Sequence, residues 1–101
     1  MDIVAFCEMD KNLFSKDYNF YNFADLKEEK SDICLVDILT IFNYEENKHK
    51  VCKENFVSIA ILDELSDYDA FKNFGIDSWI KREDLDKINE LIEVLKKRFE
   101  L

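Results

Sequence analysis

The sequence has no proline, one glycine and one histidine among 101 residues, and each scarcity removes a class of function. With no glycine-rich loop, nothing resembles the backbone cradle that nucleotide phosphates require. His49 stands between two lysines, is read as a solvated surface residue, and has no second histidine with which to build a metal site. Cys7, Cys34 and Cys52 are odd in number and widely spaced, so neither a disulfide framework nor a zinc site is implied. Cys7 and Cys34 fall inside apolar runs and are read as buried reduced thiols. No apolar run approaches the ~20 residues of a membrane span. The N-terminus, MDIVAFCEMD, lacks the basic region of a signal peptide, so no membrane association and a cytoplasmic setting are expected. Bases are also in short supply: 14 Lys and Arg face 23 Asp and Glu, for a net charge of -9. A phosphate backbone needs a basic face, so direct nucleic-acid contact by this domain is not expected.

What is present is a core. A composition of 48% hydrophobic and 37% charged residues is that of a folded chain, and 101 residues suffice for one domain over 1–101. The stretch Ser31 to Leu39, SDICLVDIL, holds four consecutive apolar residues, the pattern of a strand covered on both faces. Asp37 stands where that run stops. Asp2 to Cys7 and Phe56 to Leu62 are similar runs, and both end in acids, at Glu8 and at Asp63. Tyr18 to Phe23 reads as an aromatic edge strand and Ser78 to Lys81 as a short last one.

The intervening segments are short. Residues 11–17 have room for a turn or two of helix, residues 24–30 for a charged helix or turn, and Thr40 to Asn55 reads as a loop with a short helix. Tyr68, Phe71 and Phe74 mark one side of a helix over Asp67–Phe74, with Gly75 placed to end it in a left-handed conformation. From Asp84 onward, Leu85, Ile88, Leu91, Ile92, Leu95 and Phe99 recur at helical spacing, with Lys96, Lys97 and Arg98 in the last turn. Strands alternating with helices predict an α/β fold, a three-layer sandwich on a five-stranded parallel sheet with shortened helices. Its topology would bring Glu8, Asp37 and Asp63 to one edge, where ligands of such sheets bind.

Two stretches carry a resemblance to a known family. The segment Asp32-Ile33-Cys34-Leu35-Val36-Asp37-Ile38, together with LDELSDYDAFKNFGIDSWIKREDLDKI over Leu62–Ile88, resembles the CheY-like receiver domains of two-component response regulators. The resemblance implies the doubly wound, flavodoxin-like strand order 2-1-3-4-5. It also implies Asp37 as phosphoacceptor, Lys81 as the cation on the phosphoryl group, Asp63 at the position of its hydroxyl contact, and Trp79 as the aromatic switch. Glu8 and Asp37 would hold Mg²⁺.

The departures from that pattern point elsewhere. Cys7 replaces an acid of the metal-binding pair, and a soft ligand weakens Mg²⁺ binding. Asp63 replaces a serine or threonine and would repel the ~1.5 to 2 negative charges of a phosphoryl group. Arg82 replaces a proline usually preceded by a cis bond, so a trans link is expected. The leading expectation is therefore an atypical receiver, not an enzyme, with no cofactor or weakly bound Mg²⁺. It would act as a regulatory interaction module controlling a DNA-binding output domain and dimerise through residues 67–101. Two alternatives stand beside it: a conventional receiver phosphorylated on Asp37 by a sensor histidine kinase, and a small Mg²⁺-dependent phosphotransfer enzyme using Glu8, Asp37 and Asp63.

Overall fold

The apolar run at Ser31–Asp37 is the middle strand of a five-stranded sheet. The computed structural model describes residues 1–25 and 29–101, so part of the expected charged turn at 24–30 (Leu26, Lys27 and Glu28) lies outside the described residues. The strands are β1 (Asp2–Ala5), β2 (Asn19–Asn22), β3 (Ser31–Asp37), β4 (Cys52–Leu62) and β5 (Ser78–Lys81). All pair in parallel, in the order β2-β1-β3-β4-β5, which is the flavodoxin-like arrangement. Among the described residues three α-helices accompany them: α1 (Ile41–Val51), α2 (Asp67–Phe71) and α3 (Ile88–Phe99).

Side-chain alternation divides the core into two layers. Ile33 and Leu35 face α3, where Ile88, Ile92 and Leu95 close over them together with Ile59 and Ile61 of β4. Cys34 and Val36 face the other way, toward Ile41 and Tyr44 of α1 and Phe71 of α2. Every residue from Ile33 to Val36 is fully buried. Burial on both faces is why the run carries no polar alternation.

Several expectations change in detail. The segment Thr40 to Asn55 holds no long loop: α1 occupies Ile41–Val51 and β4 begins at the next residue, Cys52. Only Ile41, Tyr44 and Val51 of α1 are buried, a stripe too sparse to advertise an amphipathic helix. Ser31 pairs with Cys52 but Ile33 with Val57, so extra β4 residues bulge out where polar Lys53, Glu54 and Asn55 hid the strand. The first two crossovers are not α-helical among the described residues. They hold 3₁₀ turns at Lys11–Leu13 and Phe23–Asp25, and Phe14 with Leu13 covers the α3 side of β1 in place of a helix. Residues Arg82–Lys87 form a further 3₁₀ turn, so the last helix begins at Ile88, and Phe99 is 40% exposed and lies outside its buried stripe. No cis peptide bond occurs among the described residues, so the link to Arg82 is trans. Among the same residues no helix is long and apolar enough to cross a membrane.

Gly75 ends the 3₁₀ turn Lys72–Phe74 at φ 66°, the left-handed position expected for it. A Cβ there would meet nothing within 4 Å, so a side chain costs only backbone strain. Gly75→Ala should lower unfolding free energy by about 1–2 kcal/mol in denaturant titration. Ile92→Ala, which opens a cavity under α3, should lower it by about 2–5 kcal/mol, while Val94→Ala on the exposed side should change it by less than about 0.5 kcal/mol.

Candidate functional site

The carboxyl ends of β3, β4 and β5 meet in one ion-paired cluster. Asp37 ends β3 and is 6% exposed, a depth at which an ionised carboxylate needs partners. It has three. The backbone N–H of Thr40 and its hydroxyl donate to Oδ1 at 3.0 and 2.8 Å, and Nη2 of Arg82 donates to Oδ2 at 3.0 Å. Thr40 Oγ1 also accepts from the Asp37 backbone N–H at 3.1 Å, which closes the β3–α1 turn. Arg82 turns its other donors on Asp63, with Nε to Oδ1 at 2.5 Å and Nη2 to Oδ2 at 3.3 Å. One guanidinium thus holds two carboxylates from neighbouring strands.

Alternation explains why the arginine, and not the expected lysine, reaches Asp37. Asp37 continues the parity of Ile33 and Leu35, Asp63 that of Ile59 and Ile61, and Arg82 that of Ile80, all on the α3 face. Lys81 is in register with Leu62 and shares the opposite face. It is exposed and makes no ion pair among the described residues. Trp79 is in register with Ala60 on that opposite face as well, 51% exposed and packed edge-on to Tyr68 at 4.7 Å between ring centroids. The expected phosphoryl lysine therefore borders a hollow with Asp63 but pairs with neither carboxylate among the described residues, and the expected aromatic switch packs on Tyr68 instead.

The cluster has its own electrostatics. The bond from Arg82 holds the Asp63 carboxyl below its ordinary range, and the bond to Asp63, ahead of that to Asp37, holds the guanidinium proton more firmly still. Cys7 lies on the same side of the core, two residues past the end of β1. Burial first, and then the negative charge of Asp37, pushes its thiol up to about 12, so it stays neutral at physiological pH.

These residues do not fit a Mg²⁺ site. A neutral buried thiol is no substitute for a hard oxygen, and both oxygens of Asp37 are committed to hydrogen bonds. Glu8 is exposed and lines a different hollow, with Cys7, Asn22 and Asp25. No group of three or more His, Cys, Asp or Glu among the described residues is placed to hold a metal ion. Arg82 brings Asp37 and Asp63 together, whereas Glu8 forms with them no group placed to hold a metal ion among the described residues.

The chain matches no family model, no curated protein and no solved structure. The site must therefore be judged on its own chemistry.

Two of its residues escape a linear reading. Arg82 reads as a substituted proline, and Thr40 as the first residue of a loop with a short helix. Their signals are a cation one step beyond the expected lysine and a hydroxyl three residues after a strand-terminal Asp, the spacing of a side-chain-closed turn.

Arg82→Gln leaves the Asp37 carboxylate without its counter-ion. Because Arg82 is itself 40% exposed, water replaces part of the loss, and the expected destabilisation is about 1–3 kcal/mol. In the same variant, carboxyl NMR should show the Asp63 pKa rising toward the ordinary value near 4. The sign follows from the depression: the bridge stabilises fully above the ordinary carboxylate range and is lost as pH falls through the lowered value. Acid titration should thus separate wild type from Arg82→Gln at neutral pH and bring them together in strong acid.

Proposed function

We propose that the chain is a receiver-like regulatory module that acts through protein contacts and not through phosphoryl transfer. The observation that carries this reading is the Arg82 guanidinium set between Asp37 and Asp63. In a phosphorylatable site the acceptor carboxylate must meet an incoming phosphoryl group and a metal ion. Here the positive charge is supplied by the chain itself, and Asp37 serves as a buried anchor for the turn to α1. The bridge supports an assignment as a non-enzyme without a resident cofactor. A conventional receiver phosphorylated on Asp37 by a sensor histidine kinase is the second reading, favoured only by the acid's place at the end of the central strand.

The α2–β5–α3 side offers a self-association surface over residues 67–101. Trp79, Leu65 and Leu91 border one hollow of about 380 Å³ there, with Lys81, Lys87 and Glu90 alongside. A face carrying both charge signs can complement a copy of itself across a two-fold axis. In the full reading this cytoplasmic dimer controls a DNA-binding output domain and makes no nucleic-acid contact itself, in keeping with the net charge of -9.

Titration with Mg²⁺ and beryllofluoride should leave the amide resonances of Asp37, Thr40 and Arg82 in place. A saturable shift, abolished in Asp37→Asn, would return the chain to the phosphorylated class. Sedimentation over a wide concentration range should show reversible dimers, weakened by Trp79→Ala. A strict monomer would remove the dimer from the proposal.

A further inference from the structure

Helix α2 leaves a gap over the sheet beside it. It runs for five residues, Asp67–Phe71, before passing into the 3₁₀ turn that Gly75 ends. Ala60 of β4 brings only a methyl group to this side of the sheet, and Gly75 brings no side chain at all. A cavity of about 150 Å³ results, bounded by β4, α2, the turn and β5. Ala60 and Phe71 are buried and form its deep wall, while Tyr68, Lys72 and Trp79 are exposed in part and form the side that reaches solvent. The open space at Gly75, where a Cβ would meet nothing within 4 Å, agrees with the same gap.

The walls say what chemistry fits. Tyr68 and Trp79 hold each other at 62° with ring centroids 4.7 Å apart, and Phe71 supplies a third ring to the same cavity. Aromatic rings pair best edge-on or offset, and rings already set at an angle can receive another in that way. A largely apolar cavity of this volume holds one benzene-sized ring. Charge is settled at the rim. Lys72 Nζ lies 5.5 Å from the centroid of the Tyr68 ring and 3.0 Å from Asp69 Oδ1. A cationic ligand would meet an ammonium already in place, and an anionic one would have to draw Lys72 away from Asp69. An uncharged ring displaces only water.

We infer that this cavity binds a small uncharged molecule carrying a single aromatic ring, held among Tyr68, Phe71 and Trp79. The inference goes beyond the reading of the chain as an interaction module and does not rest on it. Trp79 also borders the neighbouring hollow toward α3, but Ala60, Phe71 and Gly75 line the first cavity alone and Leu65, Lys87 and Leu91 the second alone. The two sites can therefore be told apart residue by residue.

The test titrates isotopically labelled protein with benzyl alcohol, and in parallel with benzylamine, benzoate and cyclohexylmethanol. Benzyl alcohol should shift the amides of Ala60, Phe71 and Gly75 and the Trp79 indole N–H saturably, and its ring protons should show nuclear Overhauser contacts to the Phe71 and Trp79 rings. The two charged analogues and the saturated ring should bind more weakly. Tyr68→Ala removes a partly exposed wall and should weaken binding about three- to tenfold, whereas Leu65→Ser, beside the other hollow, should change it less than about twofold. Tighter binding of benzylamine or benzoate, equal binding of cyclohexylmethanol, or full affinity in Tyr68→Ala would overturn the inference. So would shifts centred on Lys87 and Leu91, which would seat the ring in the α3-side hollow, or the lack of any saturable shift or Overhauser contact in the wild-type protein.

Discussion

Burial of β3 on both faces and along both edges is the constraint from which the other elements take their places. A strand whose residues Ile33 to Val36 are wholly removed from water needs a neighbour on each side and a layer above and below. β1 and β4 supply the hydrogen-bonding partners, α1 with α2 covers one face, and α3 covers the other. The parallel direction then sends every strand's carboxyl end to one edge. Acids that are far apart in sequence become neighbours there without any loop having to reach for them.

That convergence creates an electrostatic problem, and Arg82 resolves it. Two carboxylates at adjacent strand ends repel, and Asp37 is too deep to be relieved by solvent. A metal ion is one solution and an arginine is another. The guanidinium offers a rigid fork that satisfies both acids at once, where the ammonium of Lys81 would offer a single mobile point charge. The positive charge between the two acids is therefore supplied by the chain's own arginine.

The parts of the fold that could be read from the residues are those where one physical signal acts alone. The apolar runs of β1, β3 and the second half of β4 announce buried parallel strands, the three-and-four spacing of α3 announces its face, and Gly75 announces a left-handed turn. Where two demands compete, legibility fails. α1 buries only three side chains and otherwise satisfies water, so its period is masked, and the bulged start of β4 is polar because it lies at the sheet's margin. At the site, Asp37 and Asp63 were visible as strand ends, but the choice between Lys81 and Arg82 depends on which face the strand presents. A one-residue difference in alternation decides that, and the linear pattern does not carry it.

The division of labour between the two faces has a consequence for how the molecule comes to exist. Ile3 and Ala5 near one end of the chain, and Ile33 and Leu35 in its middle, share their layer with Ile88, Ile92 and Leu95. Until residues 88–99 arrive, that side of the sheet is covered only around β1, by Phe14 and Leu13, and the strand pairing that created it has little to stabilise it. That layer thus draws on nearly the whole sequence. A fragment ending before Ile88 is a sticky chain with an open sheet, and not a smaller version of this protein.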